Sequence, residues 1–514
     1  MLLDAAEVAK RNTASSCWIV VNGKVYDVTP YLEHHPGGAA ILVKQGGTDA
    51  TTEFRTVHSP DVLEYLPKGS YLGEVNPEAL RSLTAKLTSS TLATNSVSPP
   101  TPSPSPPPAS SLSPPAANGS PHIAHCVTAS DFEPVAKAVV PRNVFSYISS
   151  SANSGLSLQD NLSSWSKIKF RPRILRDVER VSAKSAIFDH ASPVPFYVSA
   201  MGMLGRGHPN AEAELVRGLA RRGVHAMISS ESSLPMEEIA AALSDEQRKL
   251  ASSQGAGKKQ GDEFPPSQLH FQLYVHADHS VTLSRIRRAK AAGFKSIWVT
   301  VDTACLGKRT ADRRVKAAEA LEVGLGDAAE QAGVGRNTGF YPSRAHFKPS
   351  LSWEDLVWIK KEWGGPLVLK GVQCAEDAKL ALEHGCEGIL LSNHGGRQAH
   401  TAPDALTTLL EIRTYCPEVL GKLDIFVDGG LRDGADVLKA ICLGATAVGV
   451  GRPFFYALAA YGSKGVERCV DILSEELATG MRLAGIASLN EMQPDRVNAS
   501  RLLNEMWHPE KSRL

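Results

Sequence analysis

Hydrophobic residues along this chain gather in eight short runs rich in Val, Ile and Leu: residues 194–200, 225–230, 270–275, 296–303, 366–372, 388–393, 424–429 and 447–451. None alternates with polar residues, as expected of strands buried on both faces. Between them, residues 210–222, 280–292 and 435–443 space their apolar positions as helices do. Eight strand–helix units predict an α/β fold, a (β/α)8 TIM barrel, over residues 123–500. About 60 residues separate the fourth and fifth runs, and the Gly-, Ala- and charge-rich stretch 308–344 there is too long for a plain connection. It reads as an active-site lid.

The first 78 residues follow another pattern. Apolar runs at 18–21 and 24–28 flank Asn22-Gly23, the two-residue hairpin signal in which both turn positions need φ > 0. Thr29-Pro30 offers an N-cap and a first-turn proline to a short helix, Tyr31-Leu32-Glu33, that Gly37-Gly38 ends. Asp49 can cap a further helix that carries Phe54 and ends near His58. This predicts a small α+β module. Residues 79–122 read as a flexible linker, because nine prolines between Pro99 and Pro115, interspersed with Ser and Thr, leave too little apolar surface to order it. Residues 501–514 form a tail.

With 514 residues, two or more domains are expected. A hydrophobic content of 42% and a charged content of 21% are those of a soluble globular protein. The net charge of +1 points to neither nucleic acid nor an anionic membrane as partner. No run of 18 apolar residues spans a bilayer, and the acidic start, Met1 to Glu7, reads as neither signal nor transit peptide. Eight scattered cysteines without Cys-x-x-Cys spacing suit a reducing compartment. Ser512-Arg513-Leu514 resembles the peroxisomal Ser-Lys-Leu address, with a cytoplasmic or mitochondrial site as the alternative.

Chemistry concentrates in two places. His35, just before Pro36-Gly37-Gly38, and His58 can face each other across a flat ring, and two imidazoles complete a six-coordinate haem iron. A histidine-rich surface loop is the competing reading, since His34 is adjacent. In the barrel, ligands sit at the C-terminal strand ends. Those ends carry Gln272 and Tyr274, then Thr300 and Asp302 with Arg309 following, then Lys370, then Ser392-Asn393-His394-Gly395-Gly396-Arg397-Gln398. An imidazole beside a guanidinium suits proton or hydride removal from a 2-hydroxy acid. The last two ends, Asp428-Gly429-Gly430-Leu431-Arg432 and Gly451-Arg452, read as a phosphate site or as two tight turns. Lys370 puts positive charge where a reduced flavin gains negative charge. Asp302 orients His394 or serves as an internal salt-bridge partner.

The first unit, through Tyr71-Leu72-Gly73-Glu74-Val75, resembles cytochrome b5. Residues 125 to 495, with the motif at 392–398 intact, resemble the FMN-dependent 2-hydroxy acid oxidase and dehydrogenase family. The first resemblance implies haem b ligated by His35 and His58, not His34. The second implies FMN and oxidation of a small, lactate-like L-2-hydroxy acid to the 2-keto acid. It makes His394 the base, supported by Asp302, with Arg397 and Tyr147 on the substrate carboxylate, Tyr274 on its hydroxyl and Arg309 at the mouth. It gives FMN to Ala200, Met201, Gly202, Met203, Ser229, Gln272, Thr300 and Lys370, and its phosphate to Asp428, Gly429, Gly430, Leu431, Arg432, Gly451 and Arg452. Electrons then pass from FMN to haem to an external, cytochrome c-like acceptor; oxygen is the acceptor if the enzyme is a peroxide-producing oxidase. A non-catalytic haem-binding redox sensor is a third reading. The family also implies a homotetramer. Four departures stand out: Met201-Gly202 against the flavin, Ala399-His400 after the motif, Ser151 in place of a typical Gly, and Glu231 where relatives place Leu or an aromatic. Glu231 suggests a substrate with a polar or basic side chain.

Overall fold

The computed structural model describes residues 2–35, 39–67, 69–81, 121–253, 264–322 and 347–509. Gly37-Gly38, most of the linker, residues 323–344 of the expected lid and Ser512-Arg513-Leu514 lie outside these residues. The described start of the lid stretch contains the helix Thr310–Glu322.

The N-terminal module is built on an antiparallel sheet of β1 (Asn12–Thr13), β2 (Ser16–Val21), β3 (Lys24–Asp27) and β4 (Tyr71–Glu74), paired in that order. Asn22 and Gly23 join β2 to β3 with φ of 52° and 77°, the backbone that this turn demands. The short helix Thr29–His34 is a 3-10 turn. Thr29 is not its cap: the Asp27 carboxylate instead accepts the Thr29 N–H at 2.9 Å. Asp49 does act at the next helix, accepting the N–H of Thr51 at the start of Thr51–Val57. Leu80 is fully buried in a cluster with Val8, Val20 and Val25, so the ordered module runs past the expected boundary at residue 78.

The barrel closes eight parallel strands: β5 (Phe196–Val198), β6 (Ala226–Ser229), β7 (Leu269–Leu273), β8 (Ile297–Thr300), β9 (Leu367–Val372), β10 (Gly388–Leu391), β11 (Asp424–Asp428) and β12 (Ala447–Val450). β12 pairs with β5 to complete the ring. Side chains alternate between the helices outside and the barrel lumen. Inward positions form an apolar layer of Tyr197, Met227, Trp298, Val368, Leu390, Phe426 and Ala447, capped by Ile187 and Phe188. Two residues further along each strand, the same face carries Ser199, Ser229, Thr300, Lys370, Ser392, Asp428 and Gly449. On β7 the matching pair is His270 and Gln272. The barrel is therefore sealed by packing at one level and polar at the level above, where the strands end.

Candidate active site

The polar layer is wired across strands. Ser229 donates to the Gln272 amide oxygen at 2.8 Å, and the Gln272 amide nitrogen donates to Thr300 at 2.8 Å. Lys370 stands beside them, 4% exposed. Ser229, Gln272 and Thr300 satisfy one another, and the buried lysine beside them makes the layer a polar floor for a ligand above it.

His394 follows β10 with φ of 61°, and Gly395 and Gly396 continue at 63° and 76°. A Cβ on Gly396 would meet the Leu158 backbone nitrogen at 2.7 Å, so the motif's second glycine is a packing requirement. This left-handed turn throws the imidazole over the barrel mouth. Its Nδ1 lies 3.0 and 3.1 Å from the two Asp302 carboxylate oxygens, and the Tyr274 hydroxyl lies 3.2 Å from its Nε2. With Nδ1–H donating to Asp302, Nε2 is left as the acceptor and base. Burial holds His394 below the ordinary imidazole range, against the pull of Asp302. Burial works against ionisation of Asp302, but His394 and Lys370 outweigh it and hold the carboxyl at about 2. Gly371 makes room for that carboxylate, since a Cβ there would sit 2.7 Å from the Asp302 Cβ. Gln398 fixes the Asp302 backbone by donating to its carbonyl at 3.0 Å.

Tyr147 enters from the helix Arg142–Ser149. Arg397 donates to the carbonyls of Tyr147, Ile148 and Ser150 at 2.7, 3.2 and 3.1 Å. Burial, then Arg309, push the Arg397 guanidinium down to about 9, still protonated at neutral pH. Arg452 grips the same turn, donating to Ile148, Ser150 and Gly395 carbonyls at 3.0, 3.0 and 3.1 Å. Arg452 thus braces the His394 turn as well as standing within electrostatic reach of Arg432. One Asp428 oxygen is buried without a hydrogen-bond partner among the described residues. The space above Gly451 is open: a Cβ there would have its nearest neighbours 4.0 Å away. The Leu431 side chain belongs to the hydrophobic core, so only its main chain faces the site.

The loops after β5 and β6 lock together. Met203, with φ of 60°, donates its N–H to the Glu231 carbonyl at 3.0 Å. A Cβ on Gly202 would touch that same carbonyl at 3.0 Å. Glu231 does not face the pocket as a lone carboxylate: Arg285 pairs with it at 3.1 Å. That pairing removes the attraction for a basic substrate side chain. Three supports escaped the sequence reading. Asn161 and Asn393 exchange amide hydrogen bonds at 2.7 and 2.8 Å, and Trp165 donates to the Gly429 carbonyl at 3.0 Å. Glu212, buried, accepts N–H groups from Leu204, Ser233 and Leu234. Nothing in their sequence neighbourhood marks Asn161, Trp165 or Glu212; each acts on a loop elsewhere in the chain.

In the N-terminal module the His35 and His58 rings lie 5.9 Å apart, centre to centre. Each terminates its own helix. Leu32, Leu42, Val43, Phe54, Leu63 and Leu66 pack in the same cluster. Among the described residues no group of three or more His, Cys, Asp or Glu could hold a metal ion. Two opposed imidazoles in apolar surroundings therefore fit a metal whose remaining ligands come from a macrocycle.

Residues 136–499 match the family described as FMN-dependent dehydrogenase. The chain belongs to this family. Residues 4–76 match the cytochrome b5-like heme/steroid binding domain. Over 508 residues this family member is 35% identical to L-lactate dehydrogenase (cytochrome) of Saccharomyces cerevisiae, covering 97% of this chain and 80% of the relative. The Wickerhamomyces anomalus protein of the same name is 34% identical over 504 residues, again with 97% and 80% covered. A solved flavocytochrome b2 variant with sulfite bound superposes with a TM-score of 0.65 at 34% identity, over 76% of this chain and 90% of that one. This family member is an FMN-dependent dehydrogenase that uses FMN and haem. The residues fit both groups: the polar barrel layer, with its buried unpartnered Asp428 oxygen, suits a polar partner, and the opposed histidines suit an iron between them. No helix among the described residues is long and apolar enough to cross a membrane.

Proposed function

We propose that the protein oxidises an L-2-hydroxy acid of the lactate class to its 2-keto acid and delivers the electrons to an external cytochrome-type acceptor. The observation that carries this reading is His394, held between Asp302 and Tyr274 beside Arg397 and Tyr147. FMN, when bound, supplies the two-electron oxidant, and haem supplies the one-electron exit. Around them, Arg397 and Tyr147 bind and orient the substrate carboxylate. Tyr274 stays protonated, because burial and then Asp302 raise its pKa, and so donates to the substrate hydroxyl. His394 receives the departing proton at Nε2, and the imidazolium so formed is stabilised by Asp302 at 3.0 Å. Lys370 and the Ser229–Gln272–Thr300 row hold the flavin ring, and Arg432 with the glycine loops holds its phosphate. His35 and His58 ligate the haem. A peroxide-producing oxidase needs no second module; the haem-binding module on the same chain favours the dehydrogenase.

Anaerobic mixing of the holoenzyme with L-lactate and related acids tests this. Flavin absorbance is expected to bleach first and haem bands to reduce afterwards. A flavin that no L-2-hydroxy acid bleaches would overturn the reading, and a haem that stays oxidised would overturn its electron path.

The pH profile follows from the sign of the His394 shift. A base with a lowered pKa is already unprotonated at neutral pH. Acid-limb kcat/KM is therefore expected to stay flat as pH falls from neutral and to drop, with unit slope, only below the ordinary imidazole range. Asp302, at about 2, remains ionised throughout. An acid limb centred above neutrality would contradict this assignment.

A further inference from the structure

Three guanidiniums converge on one phenol ring in the barrel mouth. Arg397, Arg309 and Arg206 place their central carbons 4.9, 5.2 and 5.2 Å from the centre of the Tyr147 ring. Arg397 already has a role in the proposed reaction, and the family resemblance puts Arg309 at the mouth; Arg206 has neither. It ends the 3-10 turn Leu204–Arg206 beyond β5, and buried Glu212 fixes that turn by accepting the Leu204 N–H. Arg206 is half-buried, and among the described residues its guanidinium makes neither hydrogen bond nor ion pair. The Arg309 Nε is buried without a hydrogen-bond partner. Arg397, by contrast, is anchored on main-chain carbonyls.

Charge adds to the geometry. Arg285 matches Glu231, Lys370 stands in electrostatic reach of Asp302, and Asp312 in that of Arg397. Among the described residues, Arg206 and Arg309 then remain without a carboxylate partner beside the Tyr147 ring. A monocarboxylate cancels one of them. Partly desolvated cations without counter-charges are costly, so the pocket is built for a dianion.

We propose that the preferred substrate is a 2-hydroxy dicarboxylate, its second carboxylate bound by Arg206 and the Nε edge of Arg309 beside the Tyr147 ring. This rests on the reading of the site as a 2-hydroxy acid dehydrogenase. It also gives Glu231 a place: neutralised by Arg285, it does not repel the second carboxylate.

The test is the rate of anaerobic flavin reduction in the holoenzyme with L-lactate, L-malate and L-2-hydroxyglutarate. At least one dicarboxylate is expected to exceed L-lactate in kcat/KM by about tenfold or more, as an added charge-assisted contact allows. Arg206→Met is expected to collapse that ratio by about tenfold or more, chiefly through KM, and Arg206→Lys to restore much of it. Flavin and haem absorbance of each variant reports that it has folded. L-lactate equal to or better than both dicarboxylates, or an unchanged ratio in Arg206→Met, would overturn the proposal. If none of the acids bleaches the flavin, the 2-hydroxy acid reading falls, and this one with it. Bleaching by L-lactate alone sinks only the dicarboxylate preference.

Discussion

Replacing His394 with alanine is expected to lower kcat by about 10³-fold or more while FMN and haem absorbance remain those of the native holoenzyme. A positioned general base contributes about 10²–10⁴ in rate. The upper part of that range applies here, because the imidazole also supplies Asp302 with a hydrogen-bond donor at 3.0 Å. Without it, a carboxylate with a side chain 1% exposed keeps Lys370 and Thr303 but loses the partner at 3.0 Å. The residue at 394 must also hold a φ of 61°, which costs alanine about 1–2 kcal/mol. His394→Asn separates the two effects, since asparagine tolerates that backbone but offers no comparable base. Both variants should be slow, and thermal melts should place Asn above Ala. Turnover of either variant within about tenfold of native would remove His394 from the chemistry.

How far the sequence carried the reading depends on the range of the interaction. The strands were legible because a buried strand declares itself within six residues, and the eight runs became β5 to β12. The strand-end residues Gln272, Thr300, Lys370 and Asp428 could be named because a barrel places its chemistry at strand ends; Ser229 came only from the family resemblance. Asn22-Gly23 was legible for a similar local reason. What failed needed partners far along the chain. Glu231 read as a free carboxylate because Arg285 lies 54 positions away. Asn161 went unmarked, because its amide partner is 232 positions further on. Arg206 could not be placed, because only the folded loop brings it to Tyr147. Thr29 failed on a finer scale: the 3-10 turn starts at Thr29 itself, with Val28 before it as N-cap, and the Asp27 carboxylate accepts the Thr29 N–H.

Gly430→Ala is expected to be the most damaging single methyl in the barrel, destabilising it by more than about 4 kcal/mol and abolishing tight FMN binding. Gly430 sits at φ of 81°, and a Cβ there would fall 1.8 Å from the Asn161 carbonyl oxygen and 2.3 Å from its carbon. Those are backbone atoms, so no rotamer change relieves the overlap. The helix Leu156–Lys167 must move instead. That helix carries Asn161, paired with Asn393 next to the base, and Trp165, which holds the Gly429 carbonyl. Lys439 further ties down the Trp165 carbonyl at 2.8 Å. A shift large enough to admit the methyl therefore disturbs the phosphate loop and the His394 turn together. Gly421→Ala is the control. Its φ of 77° is nearly the same, but nothing lies within 4 Å of a Cβ there. It should cost only the left-handed backbone penalty, about 1–2 kcal/mol. Denaturant melts of both variants, with FMN titration of each apoprotein, isolate the overlap from the dihedral. If the two variants prove equally stable, the close approach of the Asn161 helix to the phosphate loop has no energetic meaning.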